Sequence, residues 1–328
     1  MFDGLLLRSA PAALALACLA GGGTALAQAP TEPVEIVVGS GPGGGYDRMA
    51  RAIEAVLEGE NLIEVPINIT YEPGGGGAVG WAKISKQSRG PTKLSIFSPN
   101  LVTNEVLGAA PLSFEDLTMI ATLVFEDGCF ALNPTGNLKT ADELIDALKN
   151  NPETLRFGFA VAAGNQWHVA MAKLADAVGA DITKVRATVF DSASKGVAAL
   201  LGNHVDVGVS GCASFAKYHE SGDLSIVAVA SPARQAAPLQ DVPTWQELGH
   251  DVVWSAWRGI LGPKSMKPEE VAFWEDVLQK VVTHESWKPI EQENYWRTEF
   301  LDSEATNAML RSERDQYTTT IRQLGLIQ

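Results

Sequence analysis

Chemistry that needs a reactive or metal-binding side chain has little to work with in this sequence. Cysteine occurs three times in 328 residues, at Cys18, Cys129 and Cys212, and histidine five times, with no Cys/His run spaced like a metal site. There is no His-Glu-x-x-His and no Gly-Lys-Ser/Thr behind a glycine loop, and Gly208-Val-Ser-Gly211 falls one glycine short of a nucleophile elbow. A P-loop enzyme is thereby excluded, and hydrolase chemistry is poorly supported. Positive charge is scarce too: 25 Lys and Arg stand against 39 Asp and Glu, a net charge of −14, which argues against nucleic acid or an anionic membrane surface as partner. The longest early apolar run, Ala10 to Ala20, is shorter than the roughly 20 residues a membrane span needs. With Arg8 before it and Ala25-Leu-Ala27 after it, that run reads as the core of a signal peptide over residues 1–27, cleaved before Gln28. Ala15-Leu-Ala-Cys18 puts alanine where a lipoprotein signal carries a branched aliphatic residue, which disfavours processing at Cys18. Cys129 and Cys212 then remain. An oxidising compartment would let them pair, but two separate buried cysteines is the favoured reading.

What the chain does have is glycine, placed in two similar loops. The apolar run Val34, Ile36, Val37, Val38 reads as a buried strand that breaks into Gly39-Ser-Gly-Pro-Gly-Gly-Gly-Tyr-Asp47. Met49, Ile53 and Leu57 then repeat at helical spacing. The pattern recurs where Ile67 to Tyr71 runs into Glu72-Pro-Gly-Gly-Gly-Gly77 and a helix carrying Val79, Ala82 and Ile84. A strand that feeds a glycine turn into a helix start aims backbone N–H groups and the positive end of the helix dipole at one point, which is an anion site. A third strand, Leu94 to Phe97, ends in Ser98-Pro-Asn100 before another helix. This alternation predicts a parallel sheet with its ligand edge at the carboxyl ends of the strands.

Farther on, Met119 to Phe125 and Cys129 to Leu132 are extended runs flanking Glu126-Asp-Gly128, a predicted crossing between lobes. Thr140-Ala-Asp-Glu143 is a capping box opening a helix. A strand over Leu155 to Phe159 meets the loop Ala160 to His168, and one over Ala187 to Phe190 meets Asp191-Ser-Ala-Ser-Lys195. The middle of the chain thus repeats the architecture of its start. Val252 to Leu261 reads as the return crossing, and helices from Pro268 and over about Ser303 to Leu324 close the chain. The fold class is α/β, with two lobes: 28–126 plus 254–328 as the first, 127–253 as the second, and a cleft between them.

Gly39-Ser-Gly41-Pro-Gly-Gly44 satisfies the letters of a dinucleotide fingerprint, and Glu72 stands where a ribose-binding acid would. Pro42 has no N–H to give a pyrophosphate, Asp47 sets a negative charge beside it, and export would separate the chain from the cell's dinucleotides. An oxidoreductase using this loop is the alternative function. His168, beside Gln166 at a helix start, is either a ligand contact or a helix residue bonded within its own lobe. Arg258, in an apolar strand, needs a partner, either a structural carboxylate or a ligand carboxylate. Lys195 is either solvated or a second cation of the site. A cleft rich in N–H donors and hydroxyls, without acid/base pair, nucleophile or metal, predicts binding without turnover and calls for no cofactor.

In this order along the chain, Gly-Pro-Gly-Gly-Gly-Tyr-Asp47, Glu-Pro-Gly-Gly-Gly-Gly77 with Ala-Val-Gly80, Gly164-Asn-Gln-x-His168, Ala199 to Gly208, Leu239 to Trp245, Trp257-Arg-Gly259 and Asn294-Tyr-Trp296 form a specific series. With it the sequence resembles the substrate-binding proteins of tripartite tricarboxylate transporters, the TctC-like or Bug family. The resemblance implies a two-lobed periplasmic-binding-protein fold of type II, closing on an organic acid and delivering it to membrane subunits. It implies a periplasmic monomer in which the first two glycine loops hold one carboxylate and the second lobe reads the far end. The ligand-binding residues so assigned are Ser40, Gly43, Gly44, Tyr46 and Asp47, then Gly75, Gly76, Gly77 and Ala78, then Ser98 and Asn100. From the second lobe come Ala162, Gly164, Asn165, Gln166 and His168, then Asp191, Ser192 and Ser194, with Arg258 from the return crossing. Where relatives tend to show Gly-Gly-Gln-Asp-His and Asp-Gly-Gly-Gly-Glu, this chain has Asn165 and Trp167, and Ser192 to Lys195. Two acids are lost and a cation gained, which turns the expectation from citrate to another di- or tricarboxylate, or to an aromatic carboxylate stacked on Trp167.

Overall fold

A computed structural model describes residues 1, 29–87, 90–160, 162–190 and 192–328. The segment read as a signal peptide and Asp191 lie outside the described residues. Strands β1 (Val34–Val38), β2 (Ile67–Tyr71) and β3 (Lys93–Phe97) alternate with helices α1 (Gly45–Gly59), α2 (Ala78–Ser85) and α3 (Asn100–Val106). β1 lies between β2 and β3, parallel to both, so the three loops leave one edge of the sheet. The second set repeats this: β5 (Arg156–Ala160) lies parallel to β6 (Arg186–Phe190) and β7 (Val207–Gly211), with α5 (Gln166–Ala177) and α6 (Ala193–Leu201) after β5 and β6. α4 (Ala141–Asn150) precedes the set, opened by the Thr140 and Glu143 capping box.

The two sets are joined by β4, a single strand over Leu117–Leu132 where the sequence suggested two runs and a break. Its first part pairs antiparallel with β9 (Ser255–Pro263) and with β10 (Trp296–Leu301). From Gly128 onward it pairs with β7 and with β8 (Ser225–Ala230) instead. Nearly every residue of β4 is buried, as expected of a strand covered on both faces. Glu126 and Asp127 stand where the partners change. The whole sheet has ten strands in the order β2-β1-β3-β9-β4-β7-β5-β6, with β10 and β8 paired to β4. It is mixed, not wholly parallel, because the chain passes between halves and returns in opposite directions. Of the remaining helices, α7 (Ala216–Ser221) follows β7, while α8 (Pro268–Thr283), α9 (Trp287–Asn294) and α10 (Ser303–Gln323) cover the first half.

Packing explains two glycines that hydropathy could not. A Cβ on Gly259 in β9 would stand 2.1 Å from the Ala121 carbonyl oxygen and 2.5 Å from the Phe97 ring, so β9 fits between β3 and β4 only without one. A Cβ on Gly39 would meet the Gly77 Cα at 2.6 Å, so the first two loops touch backbone to backbone.

Cys129 and Cys212 form a disulfide, which corrects the expectation of two separate buried thiols. Cys129 is in β4 and Cys212 follows β7, and the pairing of these strands sets Cys129 opposite Ser210, two residues from Cys212. Their separation of 83 residues hid the proximity. The C129A/C212A double variant should lose about 2–4 kcal/mol of stability in urea unfolding relative to the oxidised protein. An unchanged midpoint would show that the crosslink constrains little.

Candidate functional site

The first three loops are fastened by one phenol. Tyr46, in the first turn of α1, donates its hydroxyl to the Gly76 carbonyl at 2.9 Å and lies 2.5 Å from Ser98 Oγ. Asn100 Nδ2 donates back to the same phenol oxygen at 3.2 Å and to the Gly76 carbonyl at 3.3 Å. Burial pushes the Tyr46 phenol up, so it stays a donor. Asn104 Nδ2 holds the Gly75 carbonyl at 2.7 Å, and the Trp81 ring lies under Gly77, whose φ of +114° suits glycine alone. Asp47 is buried: its carboxylate accepts from the Gly43 N–H at 2.6 Å and the Tyr71 hydroxyl at 2.7 Å, with Arg51 Nε at 3.0 Å. Burial opposes its charge, but these donors outweigh that and hold Asp47 below the usual carboxylate range.

These loops face the second half of the sheet across a cavity of about 600 Å³. From the expected residues it brings together Ser40, Gly43, Gly44, Tyr46, Gly76, Ser98, Asn100, Gln166, Ser192, Ser194 and Arg258. Gly39, Gly41, Pro42, Gly45, Arg48, Glu126, Ala160, Trp167, Ala193, Ser210 and Ser214 complete the lining. Proximity to the loops marks several of these in the sequence. Ser210 and Ser214 lie at and beyond the carboxyl end of β7, which is parallel to β5 and so shares its edge, and no glycine loop marks them in the sequence. Their hydroxyls lie 3.0 Å apart, as do those of Ser192 and Ser194.

Asp47, Gly75, Gly77, Ala78, Ala162, Gly164, Asn165 and His168 are not in the lining. Asn165 caps α5, accepting from the Trp167 and His168 N–H groups at 3.1 Å each, and donates to the Ala160 carbonyl at 2.6 Å. His168 Nδ1 accepts from the Gly164 N–H at 3.0 Å, and its ring stacks on Phe159 at 4.7 Å. Of the two readings the sequence left for His168, the structure gives it bonding within its own loop.

Arg258 finds its partner in Glu126. The guanidinium and the carboxylate are in contact, both side chains are buried, and both line the cavity. A Cβ on Gly45 would stand 2.6 Å from Arg258 Nη2, and one on Gly211 would stand 2.0 Å from Glu126 Oε1. One glycine from each half of the sheet therefore makes room for the ion pair. Arg258 Nε and Gln166 Oε1 are buried without a hydrogen-bond partner among the described residues, and both belong to lining side chains. The helix starts differ as well. Asn165 caps α5 and Ser192 caps α6, whereas Gly44 offers α1 no side chain. Gly77 before α2 and Pro99 before α3 make no side-chain cap either, so on the first-lobe side the first-turn N–H groups, those of α1 among them, are not consumed by the side chains of cap residues.

The profile of the TctC family, the tripartite tricarboxylate transporter family receptors, matches residues 51–326, so the chain belongs to that family. Protein BugT of Bordetella pertussis is 26% identical over 245 residues, 73% of this chain and 73% of that protein. A TctC solute binding protein from Polaromonas superposes with a TM-score of 0.73 at 26% identity, covering 90% of this chain and 99% of its own. The R. palustris protein Rpa4515 with adipate superposes with a TM-score of 0.79 at 18% identity, covering 90% and 98%. The fold is accordingly the two-lobed α/β architecture of these solute-binding proteins, and the relatives are receptors.

Burial pushes the His168 imidazole down to about 4 from its ordinary 6.5, so it is neutral at pH 7. The unfolded chain takes up a proton near 6.5 and the folded one only near 4. His168 therefore contributes stability that is complete above pH 6.5 and lost as pH falls toward 4. Its size is on the order of 3 kcal/mol. Urea unfolding at pH 7.0 and 4.5 should show a smaller acid loss for His168→Gln than for the wild type. Equal losses would rule this contribution out.

Proposed function

We propose that this TctC-family receptor captures a small organic carboxylate in its interlobe cavity and hands it on without chemical change. One observation carries the reading: the uncapped start of α1 opens on a cavity of about 600 Å³ that also holds the buried Arg258. Several N–H donors with a fixed dipole give a carboxylate directional bonds at little ordering cost, since Tyr46, Ser98 and Asn100 already hold the loops. The adipate held by the Rpa4515 relative supports the same ligand chemistry.

The alternative, a dinucleotide enzyme, loses ground for a geometric reason. The Gly43 N–H that a pyrophosphate would take is spent on Asp47, whose carboxylate would lie beside the phosphates. In our reading the lobes are residues 28–126 with 254–328, and 127–253, and they close over the ligand. Ser40, Gly44 and Gly76 take one carboxylate, Gly43 shapes the loop with its N–H on Asp47, and Gln166, Ser192 and Ser194 meet the rest of the ligand. Residues 1–27 direct export to the periplasm, where the protein acts as a monomer and passes its ligand to membrane subunits of a tripartite transporter.

Calorimetric titration with a panel of organic acids tests this. Carboxylates should bind and be recovered unaltered, whereas response to sugars or neutral amino acids alone would sink the proposal. Gly44→Val, which sets a branched side chain at the mouth of α1, should weaken the best acid at least tenfold while leaving the circular dichroism spectrum unchanged. Unaltered affinity in that variant would move the carboxylate away from this loop.

A further inference from the structure

The charges of the cavity limit what can fill it. Among the described lining residues three carry formal charge: Arg48, Glu126 and Arg258. Arg48 is exposed on the first-lobe side, and its Nη1 lies 3.5 Å from the Gly43 carbonyl. Arg258 and Glu126 are in contact and cancel. Gly45 fits against the guanidinium and Gly211 against the carboxylate, so backbone bounds the pair and keeps the two groups together. Any ligand that reaches Arg258 therefore meets Glu126 with it, and the floor of the cavity presents no net charge.

Among the described residues the far side is neutral. Its lining is Gln166, Trp167, Ser192, Ser194, Ser210 and Ser214. The helix starts behind it are partly spent, since Asn165 takes two N–H groups of α5 and Ser192 takes the Lys195 N–H of α6. A carboxylate placed there would give up its water against neutral donors, with the Glu126 charge nearby, and a buried charge without a counter-charge is costly. A hydroxyl or carboxamide has the opposite fit. Serine hydroxyls and a glutamine amide both donate and accept, so either group can be fully satisfied.

Resting on the carboxylate reading above, we infer that the ligand carries a single carboxylate, held at the start of α1, and an uncharged hydrogen-bonding group at its other end. Glu126 is the specificity-determining residue, because it cancels the one buried cation that would otherwise attract a second carboxylate.

Matched acids test this on the unmodified protein. Adipate is compared by calorimetry with 6-hydroxyhexanoate and adipamic acid, and succinate with 4-hydroxybutanoate and succinamic acid. The monocarboxylate of each set should bind at least tenfold more tightly than the diacid. In Glu126→Gln the uncancelled Arg258 should shift that ratio at least tenfold toward the diacid, with folding checked by circular dichroism. Diacids binding as tightly as their partners in the wild type would overturn the inference while leaving the carboxylate reading intact. A folded Glu126→Gln protein with an unchanged ratio would overturn the role of Glu126. If no acid in any set bound, both this inference and the carboxylate reading would fall.

Discussion

The buried pair of Arg258 and Glu126 is the contact around which this receptor is arranged. It lies where both crossing strands pass from one half of the sheet to the other, with Glu126 on β4 and Arg258 on β9. A cation and an anion removed from water must be matched closely or the desolvation is not recovered. The surroundings supply that matching. A glycine from α1 and a glycine from β7 clear space on either side, and the Tyr46 ring lies 5.8 Å from the guanidinium. Both partners belong to strands of the first half, and Gly211 of the second half packs against the carboxylate, so the pair lies where the halves meet.

Above it, the polar side chains divide into those that hold the loops and those left to the cavity. Asp47, Asn104, Asn165 and His168 spend their hydrogen bonds on loop backbone. Ser210, Ser214, Ser192 and Ser194 bond in pairs and keep capacity toward the cavity. In this division the glycine loops offer the cavity backbone groups. The donors are backbone groups, and the side chains fix where they point.

Much of this could be read in the letters. The three strand–loop–helix units at the start of the chain and the repeat of the pattern after residue 150 follow from local periodicity and from glycine. Eleven of the assigned ligand residues do line one cavity, because loops at the carboxyl ends of parallel strands share an edge by topology. The others were legible as part of the same loops but not in their role. Whether Asp47 faces a ligand or the Gly43 N–H depends on a side-chain direction that spacing does not contain. Asn165 and His168 are the same case, one turned to the start of its helix and the other to Gly164.

What the sequence by itself determined is the set of local elements: buried strands from apolar runs, anion-type turns from glycine, helix starts from capping residues. These depend on neighbours within a few positions, and those neighbours are written side by side. What only the tertiary structure decided are the contacts between distant segments. Cys129 bonds to Cys212, Arg258 is matched by Glu126, and Ser210 and Ser214 enter the site because β7 lies between β4 and β5. In each case the partners are separated by tens of residues or more, and hydrophobic burial of the shared sheet, not local preference, brings them together.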